Sequence, residues 1–215
     1  MRLRPVTALV LILGLLTLPA YGGTMLQPAG ASTNMGSFVS FEPVHAIDQT
    51  GLTATYTSGV TNFDTFVPAT ATVNGGSGLN TWFSTTTTGN FDFNLGGSFN
   101  IESFALWADP QSAGQGVNAF TLLADDSPAF SSPDVLGSYN AVDGIANASN
   151  FGQIFTFNPT TASYVRMQIT SNHGSNTTTG MVEAAFEVVV PEPASFGILF
   201  LGTAGIFMRR RTVRS

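Results

Sequence analysis

The 215-residue chain contains no cysteine. Disulfide staples, thiol nucleophiles and zinc–thiolate centres are therefore excluded, and packing, alone or with a metal, must hold the fold. Lysine is also absent. Six of the seven arginines lie at the two extremes: Arg2 and Arg4 at one end, Arg209, Arg210, Arg211 and Arg214 at the other. Between residues 23 and 190, Arg166 is the one basic residue against twelve acids. That span carries a charge of about −11, although the whole chain carries only −6. A body with one cation cannot neutralise a row of phosphates, so nucleic acid is excluded as a partner. Anionic lipid is excluded on the same ground. Neutral glycans, divalent cations and basic partners stay open, and plain solubility accounts for the acidity equally well.

Catalytic signatures are missing too. His45 and His173 are the only histidines and lie far apart in the chain. No Gly-x-Ser-x-Gly elbow occurs, and no pair of carboxylates is singled out for glycosidic cleavage. No catalytic residue is assigned, and the expected role is non-catalytic.

The two ends carry the clearest signals. Arg2 and Arg4 precede an apolar run from Val6 to Leu18, followed by small residues at Leu18-Pro19-Ala20 and Ala20-Tyr21-Gly22. This order predicts a secretory signal peptide over residues 1–23, too short for a stable span. At the other end Pro191-Glu192-Pro193 closes the body, since proline lacks an N–H and fixes φ. Ala194 to Met208 follows as a 15-residue apolar run, then Arg209-Arg210-Arg211. Such a run predicts a membrane helix of roughly 22 Å, short of the ~30 Å hydrocarbon core. The arginine cluster acts as a cytoplasmic stop. An ordinary single-span anchor is the alternative reading. The order Pro-Glu-Pro, short apolar helix, arginine cluster resembles the PEP-CTERM sorting signal of Gram-negative bacteria. That resemblance implies processing by an exosortase-type membrane enzyme after transient insertion in the inner membrane. It implies a destination at the cell surface or in the extracellular polysaccharide matrix. The sorting residues would be Pro191, Glu192, Pro193, Arg209, Arg210 and Arg211.

The body, residues 24–190, reads as one all-β domain of jelly-roll sandwich type. Helical periodicity is weak, and strand signals recur at 38–41, 52–56, 91–95, 99–107, 117–123, 153–157, 164–170 and 181–190. Phe91-Asp92-Phe93-Asn94-Leu95 alternates apolar and polar residues, and so does Tyr164 to Thr170. Gly96-Gly97 predicts a turn. Ile101 is out of phase with Phe104 and Leu106, which predicts a bulge near Glu102-Ser103. The stretches 72–80, 109–116, 125–134 and 171–180 read as loops.

Asn74-Gly75, Thr81-Trp82-Phe83-Ser84, Phe91 to Gly96, Ser163 to Met167 and Glu183 to Phe186 occur in an order that resembles the discoidin-type, galactose-binding-like sandwich. This fold is shared by many carbohydrate-binding modules. Asn74 replaces the usual Asp, Ser163 replaces an Arg, and the cysteine pair of animal members is absent. The resemblance implies a structural Ca²⁺ held by Asn74, Thr81 and Glu183. A turn at Asn74-Gly75-Gly76 is the plainer reading of that loop. Glycan contact needs an exposed aromatic beside polar groups, which makes Trp107, Tyr56 and Tyr139 the candidates, while Trp82 is expected in the core. Arg166 is expected to pair with a carboxylate. The function these features imply is that of an exported matrix or surface protein contacting extracellular polysaccharide. A purely structural or adhesive matrix component is the alternative, and a secreted hydrolase the third reading.

Overall fold

The computed structural model describes residues 22–73, 79–109, 114–145 and 148–189. The expected signal peptide, Asn74, and the tail from Pro191 with its expected membrane helix lie outside the described residues. Eight strands form one antiparallel sheet, six of them along a single hydrogen-bonded path; the segments expected at 91–95 and 99–107 form one long strand, and so do those at 153–157 and 164–170. The eight are β1 (Thr24–Leu26), β2 (Gly30–Thr33), β3 (Trp82–Phe83), β4 (Gly89–Ala108), β5 (Ala119–Asp125), β6 (Asp134–Asn140), β7 (Gln153–Ile169) and β8 (Gly180–Val188). The neighbours run β1-β8-β4-β7-β5-β6, with β2 on β4 and β3 on β8.

Two long strands make the sandwich. β4 and β7 pair along most of their length, but the register breaks between Asn94 and Phe99. There β4 bends at Gly96, whose φ of 82° suits glycine, and a Cβ would sit 2.8 Å from Ala29 Cβ. The Gly96-Gly97 pair thus bends one strand instead of ending it, because the two halves remain paired to the same neighbour. The first half of β4 joins β2 and the end of β7, with β5 and β6 beyond, in layer I. The second half joins the start of β7, β8, β1 and β3 in layer II. The bulge expected near Glu102 is present as a register shift between Ile101 and Ser103.

Aromatic side chains fill the space between the layers. Phe93 lies 5.9 Å from Phe104 and 5.4 Å from Phe186, ring centre to ring centre, and Trp82 lies 4.7 Å from Phe91. All five are buried. Such offset and edge contacts add about 0.5–1.5 kcal/mol each beyond the burial itself.

A second core lies on the outer side of layer II. Residues 43–73 cross that face, carrying a 3₁₀ turn (Pro43–Ala46) and the short helix α1 (Phe63–Ala69). Asn62 caps α1 by accepting the Thr65 N–H at 3.0 Å. Phe63 and Val67 then pack with Tyr56, Trp107, Val182 and Ala185. The strands expected at 38–41 and 52–56 are not formed. Phe38 and Phe41 close a turn through Ser40 at φ 69°, and Leu52 makes a single bridge to Thr72. These apolar stretches cover a sheet rather than joining one. Sequence pattern gave no strand at β1, β2, β3 or β6; these pair with β8, β4, β8 and β5 respectively, and β6 (Asp134–Asn140) lies at the sheet edge.

Candidate functional site

Strict alternation in β4 and β7 builds the outer face of layer I. Phe91, Phe93 and Leu95 point inward with Val165, Met167 and Ile169, so Asn90, Asp92, Asn94, Tyr164, Arg166 and Gln168 point outward. The register sets Ser32, Asp92, Arg166 and Leu123 in one row, and Gly30, Asn94, Tyr164 and Asp125 in the next. A cleft of about 400 Å³ runs across these rows, lined by Gly30, Ser32, Asp92, Asn94, Phe130 and Tyr164, among others.

Arg166 donates from Nε to Asp92 Oδ1 at 2.6 Å and from Nη2 to Asp92 Oδ2 at 2.7 Å. This is the carboxylate pair expected of the body's one arginine. Its hydrogen bonds to Asp92 raise the guanidinium pKa further, against a smaller opposing effect of burial. The guanidinium carbon also sits 4.1 Å from the centre of the Phe130 ring. Phe130 adopts a positive φ of 48°, a conformation costing about 1–3 kcal/mol in a non-glycine residue. The 125–132 turn holds it there: Asp125 accepts the N–H groups of Ser127 and Ser132, and Ser127 O accepts the Phe130 N–H. The result is a rigid floor offering a half-buried phenol, a carboxylate and an amide to the same cleft.

Layer II bears buried carboxyls on its covered side. Glu183 has no exposure. Its Oε2 accepts the Gln49 N–H at 2.9 Å, and its Oε1 faces the Tyr56 hydroxyl at 3.5 Å. Burial pushes its pKa well up, Asp48 adds to the rise, and the Gln49 N–H opposes it. The Tyr56 hydroxyl is likewise raised, first by burial and then by Glu183. Glu187, whose Oε1 accepts the Gly23 N–H at 2.9 Å, is raised by burial as well.

The expected metal ligands divide accordingly. Thr81 is buried and its hydroxyl bonds Asn80 Oδ1 at 3.2 Å. β3 pairs with β8, which brings Thr81 toward the Glu183 strand. The two carboxyl oxygens of Glu183 meet the Gln49 N–H and the Tyr56 hydroxyl, and the described residues hold no group of three or more His, Asp or Glu side chains able to take a metal ion. Sequence reasoning missed Asp48 and Gln49, which the 43–53 segment brings to this carboxyl.

Two of the three expected glycan platforms, Trp107 and Tyr56, are corrected. Trp107 has no exposure, and its indole N–H donates to Thr70 O at 2.9 Å. Tyr56 is buried beside Glu183. Neither ring has a face open to a sugar, because residues 43–73 cover them. Tyr139 is half-buried, its ring tilted against Phe120 and Phe155, with its hydroxyl donating to Thr156 O at 2.9 Å. The cleft residue that sequence reasoning did not select is Tyr164, although the outward phase of its strand marked it. His45 lies between Asp48 at 2.9 Å and Glu42 at 3.4 Å. Its Nε2 therefore meets a carboxylate, not a hydroxyl.

Residues 189–211 match the PEP-CTERM protein-sorting motif. No curated protein matches the sequence. Among solved structures, the fold resembles CpGH89CBM32-5 from Clostridium perfringens, in complex with GalNAc-β-1,3-galactose, at 13% identity and TM-score 0.53. That match covers 76% of this chain and 99% of the other. Chitosan-binding module 1 from a chitosanase/glucanase of Paenibacillus sp. IK-5 matches at 19% identity and TM-score 0.51, covering 77% and 98%. The CBM32-1 and CBM32-2 domains of Clostridium perfringens ZmpB, with GalNAc, match at 15% and TM-score 0.53, covering 78% and 36%. The fold is that of the discoidin-like carbohydrate-binding modules.

Proposed function

We propose that this is an exported, non-catalytic protein that binds extracellular polysaccharide through the outer face of layer I. The observation that carries the reading is the open cleft in which Tyr164 lies beside Asp92, Asn94 and Ser32. An aromatic ring flanked by fixed acceptors and amides suits a sugar ring's apolar face and its hydroxyls. The acidic body favours neutral or amino sugars over anionic ones. Likeness to modules solved with GalNAc-containing sugars, and to one named for chitosan, supports the class of ligand.

The sorting motif supports the route: removal of a signal peptide, transient membrane insertion, exosortase-type processing, and release to the surface or matrix of a Gram-negative cell. Mass spectrometry of the mature protein should find both ends missing. Replacing Pro191, Glu192 and Pro193 with alanine should hold the protein in the inner membrane, and unchanged export would remove the sorting role. The binding reading is tested on a glycan array with wild type and Tyr164→Ala. Wild type should be retained on at least one neutral or amino glycan and the variant should lose at least tenfold in affinity. Retention on no glycan leaves a purely structural matrix component.

The same reading assigns a structural Ca²⁺ to the layer II carboxyl, with Glu183 and Thr81 as described ligands and Asn74 as a third. Bound there, the ion would stabilise the ionised form of a buried carboxyl that no cation among the described residues reaches. Excess chelator should lower the melting temperature, and an unchanged value would remove the ion from the account.

A further inference from the structure

The first described residues are threaded into the covered side of layer II. Gly23 directly precedes β1, and its nitrogen donates to Glu187 Oε1 at 2.9 Å. Its carbonyl accepts the Phe63 N–H at 3.0 Å, and the Met25 N–H donates to Thr61 O at 2.8 Å. Thr24 pairs with Val188 on one side and bridges Asn62 on the other. This stretch is thereby stitched between β8 and the start of α1.

The backbone at residues 22 and 23 lies directly against two carboxyls. A Cβ on Gly23 would overlap Glu187 Cγ and lie 2.6 Å from Glu187 Oε1 and from Val188 O. One on Gly22 would lie 2.6 Å from Asp64 Oδ2 and 3.0 Å from Asn62 Nδ2. No side chain fits at Gly23, so the Gly23 nitrogen is what Glu187 meets. Glu187 is buried. Ser103 donates to it, whereas Asp64 and Glu102 oppose its ionisation by their charge. The described ion pairs are made by His45 and Arg166 with other carboxyls. A buried carboxylate is costly unless a counter-charge meets it.

The sequence can place a cation at this nitrogen. Ala20-Tyr21-Gly22 carries small residues at the two positions that mark a secretory cleavage site, and a cut after it leaves Gly23 first. Hydrolysis breaks the Gly22–Gly23 peptide bond. Water supplies a hydroxyl to the Gly22 carbonyl carbon and a proton to the Gly23 nitrogen, which takes a second proton from solvent. The product is an α-ammonium, charged at neutral pH, with three N–H donors where the amide had one. We propose that the peptidase of the export route cuts between Gly22 and Gly23, and that the Gly23 ammonium docks on Glu187, with Asp64 and Glu102 as the surrounding charges. Such docking presupposes export through a signal peptide, as proposed above, and adds the bond that is cut and the carboxyl that receives the new end. The cut precedes folding, since in the folded domain Gly23 is buried. An uncut precursor offers Glu187 only a neutral amide, so removal of the leader is what fastens β1 to the sheet by an ion pair.

The test uses the protein purified after export from the cell that makes it. Mass spectrometry should find Gly23 as the first residue. The chain contains no lysine, so the α-amine is its one primary amine, and an amine-acylating reagent reports on that group alone. Held as an ammonium by Glu187, it should acylate at least about tenfold more slowly in the folded protein than in concentrated urea, the ratio that one pKa unit supplies. Glu187→Gln keeps the shape and removes the charge, and should bring the two rates to within about threefold. Equal rates for folded and unfolded wild type would overturn the docking, whether or not the variant folds. A first residue other than Gly23 would overturn the assigned cut while leaving removal of a signal peptide intact. A chain still beginning at Met1 would remove the signal peptide from the account, and the docking with it.

Discussion

The outer faces of the two layers put the same chemical group to opposite use. Layer I carries Asp92 on a strand open to solvent, held by two short hydrogen bonds from Arg166. Layer II carries Glu183 under a cover of loop and helix, held by one backbone N–H and a distant phenol, with no cation beside it among the described residues. One carboxyl is therefore fixed in an ion pair, and the other is pushed toward its neutral form. The difference lies not in the strands, which alternate similarly, but in what crosses them. Residues 43–73 seal layer II and turn its outward residues into a second core. Among the described residues the 125–132 turn reaches over layer I, and a cleft is left between it and the edge strand β2.

Breaking the covered face should have the largest effect. Trp107→Ala removes the ring that joins α1 to layer II and should cost about 3–5 kcal/mol, typical of a buried aromatic. A urea denaturation series measures this loss, and a value below about 1 kcal/mol would mean that the second core does not hold the domain. Glu183 is probed by pH. Its folded pKa lies above the ordinary value of 4.5, so its stabilising contribution is complete below that value and disappears as pH rises through the folded one. In the presence of chelator, stability should fall as pH increases from about 4.5 toward neutrality. Glu183→Gln should flatten that fall, and added Ca²⁺ should reverse it in wild type only.

The open face should respond less. Asp92→Asn or Arg166→Ala breaks a charge-assisted pair that is only partly desolvated, and should cost about 1.5–3 kcal/mol. If both together cost the sum of the single changes, the pair is not coupled and the comparison with Glu183 loses its basis. Tyr164→Ala should change stability least, by about 1 kcal/mol or less, because its ring is only half-buried. Its signature is lost glycan binding with an unchanged fold. A large stability loss would make Tyr164 a packing residue.

Much of this was legible in the chain. The alternation in 90–95 and 164–169 set which residues face the core, and the phase slip at Ile101 located a real bulge. The lone arginine of the body could be expected to pair, since no other cation competes for its acids. The weak points were Trp107 and Tyr56. A tryptophan ending a strand before a glycine-rich loop reads as an edge residue, yet Thr70, 37 residues earlier in the chain, accepts its indole N–H. Residues 38–41 and 52–56 had strand composition, yet they form a turn and a single bridge instead of strands.

The chain by itself determined its C-terminal sorting motif, its acidity and the two faces of the alternating segments 91–95 and 164–170, because these depend on residue order and on a period of two. Only the tertiary structure decided which face would be covered, and so which aromatics are core and which carboxyl remains in contact with water. Period and order are local, whereas cover is supplied by segments remote in sequence, whose docking depends on the whole packed shape.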